Sequence, residues 1–124
     1  MSGKILLFGF EELPAILAVS GAAEPFGVEV VPVARGDYNR SIAALAGLDG
    51  GAGTPAPYAG GSLGERMMVL CGLEDRLELL LPALARVGAG PECLKAVLTP
   101  RNRDWSALRL YGELFRERQA LWED

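Results

Sequence analysis

A dense group of hydrogen-bonding side chains follows the most strand-like stretch of the chain, in the segment LTPRNRDW at 98–105. Thr99, Arg101 and Asn102 would project at the carboxyl end of that strand, beside the start of a helix, where backbone N–H groups favour anions. We therefore predict a binding site here for a small anion or a peptide carboxylate. A structural explanation competes with it, since Pro100 ends a strand and Asn or Asp side chains hydrogen-bond backbone amides at helix starts.

Two pairs of acids stand in similar places, each just after an apolar run: Glu11 with Glu12, and Glu74 with Asp75. If the two helix starts meet, Glu11 and Glu74 can share a ligand, and we include both in the predicted site. Carboxylates grouped in this way also bind divalent metals. Acids in the first turn of a helix offset its dipole by about 0.3 to 1 kcal/mol each, which explains them without a metal. We predict no metal site.

An enzyme is the alternative to a binding module, and Cys71 is its best candidate. A thiol between a strand and a helix start can have a lowered pKa and act as a nucleophile. The chain has no histidine, so catalytic groups that depend on imidazole cannot form within one copy. It also lacks the Gly-rich fingerprints that bind phosphate cofactors, and we predict no cofactor. Such an enzyme would use Cys71, or carboxylates near Thr99 and Asn102, whereas packing as a small hydrophobe is the simpler role for the cysteine.

Composition predicts a single cytoplasmic domain over 1–124. Half of the residues are hydrophobic, and a formal net charge of -4 gives no general attraction for nucleic acid or an anionic membrane. No apolar run reaches the roughly 18 residues of a membrane span, and Glu11 and Glu12 interrupt the apolar start before it resembles a signal sequence. Cys71 and Cys93 lack the close, even spacing of a disulfide scaffold, so we expect both to be reduced.

Four apolar runs indicate buried strands, and helical patterns alternate with them. The strands are predicted at 4–10, 28–34, 66–73 and 94–99, and the helices at 11–23, 38–48, 74–88 and 104–122. Nearly continuous apolar sequence is typical of parallel strands that are covered on both faces. Pro32 removes a ladder donor and places the second strand at an edge, whereas Pro82 predicts a kink or a break near residue 78. Asp104 is the expected N-cap of the last helix.

The halves 4–48 and 66–122 repeat the order strand, helix, strand, helix. KILLFGFEEL aligns with MMVLCGLEDR, and VEVVPVARGDY aligns with LKAVLTPRNRDW, which places Tyr38 on Trp105. This order predicts a pseudo-twofold repeat. Between the halves, Gly and Pro replace any periodicity at 49–65, which is the pattern of a flexible connector.

These features predict an α/β fold. It would be a three-layer sandwich with helices on both sides of a mostly parallel four-stranded sheet, in strand order 2-1-3-4. Ligands collect beyond the carboxyl ends of the strands in such sheets, where FGFEE and CGLED would both lie. A ferredoxin-like α+β arrangement with antiparallel pairing is the alternative.

The segment KAVLTPRNRDW resembles a family of bacterial and archaeal proteins, the domain of unknown function 3783, in ending a strand with LTP and Asn before a helix led by an aromatic residue. The resemblance covers about residues 66–118 and implies no activity. The sequence as a whole favours a non-catalytic module that binds a protein partner or a small anion. A homodimer is the other interpretation, with Phe115, Trp122 and the edge strand as its interface.

Overall fold

Strands and helices alternate along the chain. A computed structural model describes residues 3–48, 56–61 and 63–122, the last four of these by their backbone alone. The strands are β1 (Lys4–Phe8), β2 (Glu29–Pro32), β3 (Met67–Cys71) and β4 (Leu94–Val97), and the α-helices are α1 (Leu13–Ala23), α2 (Ile42–Leu45), α3 (Leu77–Arg86) and α4 (Ala107–Trp122). Each predicted strand and helix is present within shorter bounds. None of the helices described is long and apolar enough to cross a membrane.

The sheet is mixed, so the prediction of a mostly parallel sheet is wrong. Its order is β2-β1-β3-β4, as predicted, and Pro32 lies in an edge strand. β1 is parallel to β2, and β3 is parallel to β4. The two central strands run antiparallel, with Lys4 opposite Cys71 and Phe8 opposite Met67. Continuous apolar sequence indicates that a strand is covered on both faces, but it does not report the direction of the neighbouring strand.

The core consists of two clusters on opposite faces of the sheet, because successive strand residues point to opposite sides. The first core cluster joins β1 and β3 to α1 and α3, through Ile5, Leu7, Met68, Leu70, Val19, Leu80 and Leu84. The second core cluster joins the alternate strand residues to α2 and α4, through Leu6, Phe8, Met67, Val69, Ile42, Ala107 and Leu110. β3 is buried at every position, which accounts for its uninterrupted apolar sequence.

The antiparallel centre separates the carboxyl ends of the strands. β1 and β2 finish at one end of the sheet, which we call the Gly9 end, and β3 and β4 finish at the other, the Gly72 end. Both glycines have a positive φ, +80° at Gly9 and +69° at Gly72, so each strand leaves the sheet through a turn that other residues rarely adopt. α1 and α3 follow these turns and pack side by side.

Two loops meet over the second core cluster and link the halves of the chain. The Ile42 N–H donates to the carbonyl of Trp105 at 2.9 Å, and the Ala43 N–H donates to that of Arg103 at 2.9 Å. Next to the first of these bonds, Ser41 and Ser106 form an antiparallel bridge. The loops therefore fix the start of α4 against α2.

Serines begin both of these helices. The hydroxyl of Ser41 accepts from the Ala44 N–H at 3.1 Å, and that of Ser106 accepts from the Arg109 N–H at 3.1 Å. The prediction of Asp104 as the N-cap of the last helix is therefore wrong, because α4 begins two residues later than a cap at Asp104 requires.

α3 runs without a break through Pro82, so the predicted break near residue 78 is absent. Pro82 lies in the second turn, where a proline removes only the bond to the carbonyl of Glu78 in the first turn. Packing of Leu80 and Leu84 in the first core cluster holds the remaining turns.

Part of the predicted connector is attached to the second core cluster. The ring of Tyr58 lies 5.8 Å from that of Tyr38, measured between ring centroids. The prediction of a flexible connector over 49–65 also falls on 49–55 and 62, which lie outside the described residues.

Neighbouring leucines in α3 provide a test of how the helix is oriented. Leu80 has no exposed surface, whereas Leu79 is 72% exposed. Leu80→Ala should lower the free energy of unfolding by about 2–5 kcal/mol, because it leaves a cavity in the first core cluster. Leu79→Ala should change it by less than about 0.5 kcal/mol. Urea denaturation of both variants measures these values, and equal losses would contradict the orientation of α3.

Candidate functional site

The mixed sheet divides the residues that were predicted to form one site. Glu11 lies just beyond β1, at the Gly9 end, whereas Glu74 lies just beyond β3, at the Gly72 end. Thr99, Arg101 and Asn102 follow β4 and lie at the Gly72 end as well. FGFEE and CGLED therefore do not meet, contrary to the prediction, because their strands run in opposite directions. In the part of the chain that the structure describes, no group of three or more Cys, Asp or Glu residues could hold a metal ion.

Asn102 holds the loop after β4 in place. Its side-chain oxygen accepts from the Thr99 N–H at 2.9 Å, and its amide nitrogen donates to the Val97 carbonyl at 3.0 Å. The Thr99 hydroxyl accepts in turn from the Asn102 N–H at 3.2 Å. Asn102 is the buried polar residue of the described core, at 9% exposure. Thr99 and Asn102 thus hydrogen-bond to each other within the loop, whereas the structural explanation had Asn102 bonding amides at the helix start, and Arg101 is exposed.

Two guanidinium groups lie near the ring of Trp105. The Cζ of Arg109 is 4.2 Å from the centre of the indole ring, and that of Arg101 is 5.9 Å from it. Both arginines are exposed and Trp105 is half-buried. A guanidinium within about 6 Å of a Trp ring is attracted by about 0.5–1 kcal/mol at an exposed site, which holds the cation in one place. We call Arg101, Trp105 and Arg109 the arginine surface.

Two more arginines have their backbones near the start of α4. The Ala107 N–H donates to the Arg40 carbonyl at 3.2 Å, and the Arg103 carbonyl accepts from the Ala43 N–H of α2. Sequence reasoning did not select Arg109. The spacing of four residues from Trp105 within a helix was the available signal, because residues at i and i+4 are neighbours.

A pocket of about 370 Å³ adjoins the arginine surface. Its lining includes Thr99, Arg101 and Trp105, together with Glu113 and Glu117 of α4. The volume lies within the range of ligand pockets, about 300–1,000 Å³. Glu113 is paired with Arg116, so its charge is partly compensated. The pocket therefore offers both cationic and acidic groups.

A second pocket, of about 440 Å³, lies at the Gly9 end and includes Glu11, Arg35 and Tyr38. The hydroxyl of Tyr38 accepts from the Gly9 N–H at 3.0 Å. Burial raises the pKa of Tyr38, so this phenol is neutral at physiological pH. The alignment of the two halves placed Tyr38 opposite Trp105, but no feature of the sequence indicated that Tyr38 would be buried.

Cys71 and Cys93 are buried free thiols. Burial raises the pKa of the Cys71 thiol to about 11, and it also raises the pKa of Cys93. Since the thiolate is the nucleophile, a raised pKa opposes nucleophilic chemistry at neutral pH. Cys71 packs in the second core cluster.

Of the residues predicted at a homodimer interface, Phe115 stacks on Tyr111 of the same helix, with ring centroids 6.0 Å apart. The side chain of Trp122 lies outside the described residues.

Replacement of Asn102 tests its role in the loop. Asn102→Ala should lower the free energy of unfolding by about 1–3 kcal/mol, because the Thr99 N–H and the Val97 carbonyl lose their partner. Asn39→Ala is the matched control: its amide donates to the Ala56 carbonyl at 3.1 Å in an exposed position, and its loss should cost less than about 0.5 kcal/mol. Urea denaturation compares the two. Equal costs would mean that Asn102 does not hold the loop.

The raised pKa of Cys71 predicts slow labelling and a pH effect. Dithionitrobenzoate should leave Cys71 unmodified in the folded protein at pH 7. The absorbance of the released product counts the reactive thiols, and unfolded protein gives the total for comparison. The unfolded thiol ionises near its ordinary pKa of 9.0 and the folded thiol near 11. The free energy of unfolding should therefore fall as pH rises from 9 to 11, because ionisation favours the unfolded chain. Cys71→Ala should reduce this fall, and rapid labelling at pH 7 would contradict the burial.

The comparison with protein families identifies the second half of the chain. Residues 66–121 match the model of a family described as Domain of unknown function (DUF3783), which confirms the resemblance of KAVLTPRNRDW. No match was found among curated proteins. None was found among solved structures either. The matched residues carry the loop held by Asn102 and the whole arginine surface. The second half of the chain, with β3, α3, β4 and α4, is therefore similar to the DUF3783 family.

Proposed function

We propose that this protein is a non-catalytic interaction module that binds an acidic segment of a partner protein on the arginine surface. The observation that carries the proposal is the contact of both Arg101 and Arg109 with Trp105, at Cζ-to-ring distances of 5.9 and 4.2 Å. Tryptophan and arginine are the side chains most enriched among the dominant contacts of protein interfaces.

The electrostatics of the surface support a carboxylate ligand. A guanidinium presents donors that match a carboxylate bidentately, and a guanidinium held over a ring loses less freedom on binding. The backbones of Arg40 and Arg103 are fixed by hydrogen bonds to the start of α4 and to α2. The loop that carries Arg101 is fixed by Asn102. The surface is therefore preorganised in the unbound chain.

The neighbouring pocket favours a peptide over a small free anion. A phosphate or sulfate in the pocket would lie near both Arg101 and the acids Glu113 and Glu117, which line the same cavity. A peptide can place a carboxylate on the arginines and direct uncharged or basic groups toward Glu117. An acidic segment with a mixed sequence satisfies both kinds of group.

The enzyme alternative receives no support from Cys71, whose pKa is raised. The free, buried cysteines favour a reducing compartment, and we infer a cytoplasmic location on that basis.

We also infer a three-layer arrangement in which the halves 4–48 and 66–122 are related by a pseudo-twofold axis. Two observations support it: Leu6 lies opposite Val69, its equivalent in the aligned halves, and Ser41 and Ser106, which directly precede α2 and α4, form an antiparallel bridge.

A titration with acidic peptide tests the function. Hexaglutamate should quench or shift the fluorescence of Trp105, measured in Trp122→Phe so that one tryptophan reports. Arg109→Gln should raise the Kd by roughly tenfold or more, because a hydrogen bond to a charged group contributes about 1.5–3 kcal/mol. Arg86→Gln, an exposed arginine at the end of α3, is the control and should leave the Kd unchanged.

Hexalysine should not bind, and the affinity for hexaglutamate should fall with salt. The proposal fails if Arg109→Gln binds hexaglutamate as tightly as the parent, or if Arg86→Gln weakens binding equally.

A further inference from the structure

α1 is a surface helix without a single charged side chain. Its sequence is LPAILAVSGAA, and only Val19 and Ala23 are buried. Leu13 and Leu17, four residues apart and so on the same side of the helix, are 64% and 58% exposed. A helix that is apolar on all sides is normally covered.

The adjacent helix extends this apolar area. α3 packs beside α1 and exposes Leu79 at 72%. The inner sides of both helices lie in the first core cluster, so their outer sides form one surface. We call Leu13, Leu17 and Leu79 the leucine face. It lies on the opposite side of the sheet from α4 and the arginine surface.

We propose that the leucine face is the docking site for an amphipathic helix of a partner protein, one that carries lysine or arginine at one end. The inference goes beyond the proposed function, because it concerns a different face, a different ligand chemistry and a separate set of residues.

The length of the face fits a single helix. α1 and α3 have 11 and 10 residues and pack side by side, so each is about 15 Å long. A partner helix about 10 Å wide can lie along the groove between them and contact the outer sides of both.

The charge at one end of the face determines the chemistry of the partner. The start of α3 lies against the end of α1, because Nη1 of Arg76 donates to the carbonyl of Phe26 at 3.1 Å. Four exposed carboxylates surround this junction: Glu24, Glu74, Asp75 and Glu78. Arg76 pairs with Asp75 at 3.5 Å and is the cation among them. Basic residues on the partner would complement this acidic end.

The opposite end of the face is more balanced. Glu12 pairs there with Arg66 at 3.5 Å, and Arg86 closes α3. The difference between the two ends orients the partner helix, with its basic end over the start of α3. It also disfavours an anionic lipid surface, which the carboxylates would repel.

Binding of a synthetic helix to the full chain tests the proposal. The probe is a fluorescein-labelled peptide of about 14 residues with a leucine stripe, alanines elsewhere and lysines at one end. A second peptide has glutamate in place of each lysine. Anisotropy should show binding of the lysine peptide and at least tenfold weaker binding of the glutamate peptide.

Matched variants distinguish binding at the leucine face from nonspecific hydrophobic binding. Leu17→Glu and Leu79→Glu should each raise the Kd of the lysine peptide at least tenfold. Leu48→Glu is the control, since Leu48 is also exposed, at 52%, but follows α2 on the other side of the sheet. Glu74→Gln with Glu78→Gln should weaken binding of the lysine peptide, whereas Glu92→Gln, at an exposed position beyond the other end of α3, should not.

Three results would overturn the proposal. One is equal binding of the lysine peptide to wild type and to both leucine variants, with circular dichroism showing that the variants are folded. The second is a dimer in sedimentation that Leu17→Glu dissociates, which would make a second copy the occupant. The third is Leu17-dependent binding to vesicles of phosphatidylcholine and phosphatidylglycerol, which would make it a lipid surface.

Discussion

The antiparallel pairing of β1 and β3 determines the position of almost every other feature. Leu6 lies opposite Val69 near the middle of this pair, and hydrogen bonds join the two strands along their full length. Since each helix follows its strand, the reversal puts α1 and α3 side by side on one face and brings the start of α4 to α2 on the other. It also sends the carboxyl ends of β1 and β3 to opposite ends of the sheet. A parallel centre would have placed Glu11 near Glu74.

The sequence predicted the elements, their order and the edge position of β2 because each depends on local properties. Apolar runs, helical spacing and Pro32 all report on their own segment. Strand direction depends on the path of the intervening chain. A twofold repeat allows two directions of the symmetry axis. An axis parallel to the strands gives a parallel centre, and an axis perpendicular to the sheet gives an antiparallel one.

The candidate site was predicted to the extent that it depends on one loop. The order Thr, Pro, polar turn, helix anticipated that Asn102 bonds nearby backbone groups, and it placed Arg101 at the surface. The arginine surface could not be predicted from this loop alone, because it also depends on the rotation of α4 about its own axis. Arg109 stands among other charged residues in the sequence, and only the contact with Trp105 distinguishes it. Exposure of Leu13 and Leu17 likewise depends on which side of α1 meets the sheet.

The hydrogen bonds between the two loops over the second core cluster cross the boundary of the family match. The segment that is similar to the family is therefore shorter than the segment that satisfies its own backbone hydrogen bonds. The family match begins at residue 66, yet the carbonyl of Trp105 accepts from Ile42 and the N–H of Leu108 donates to Tyr38. One edge of β3 is likewise hydrogen-bonded to β1, and the other to β4. A chain cut at residue 66 would keep every residue of the family segment and lose these backbone partners. The smallest unit that satisfies its own polar backbone thus includes the first half.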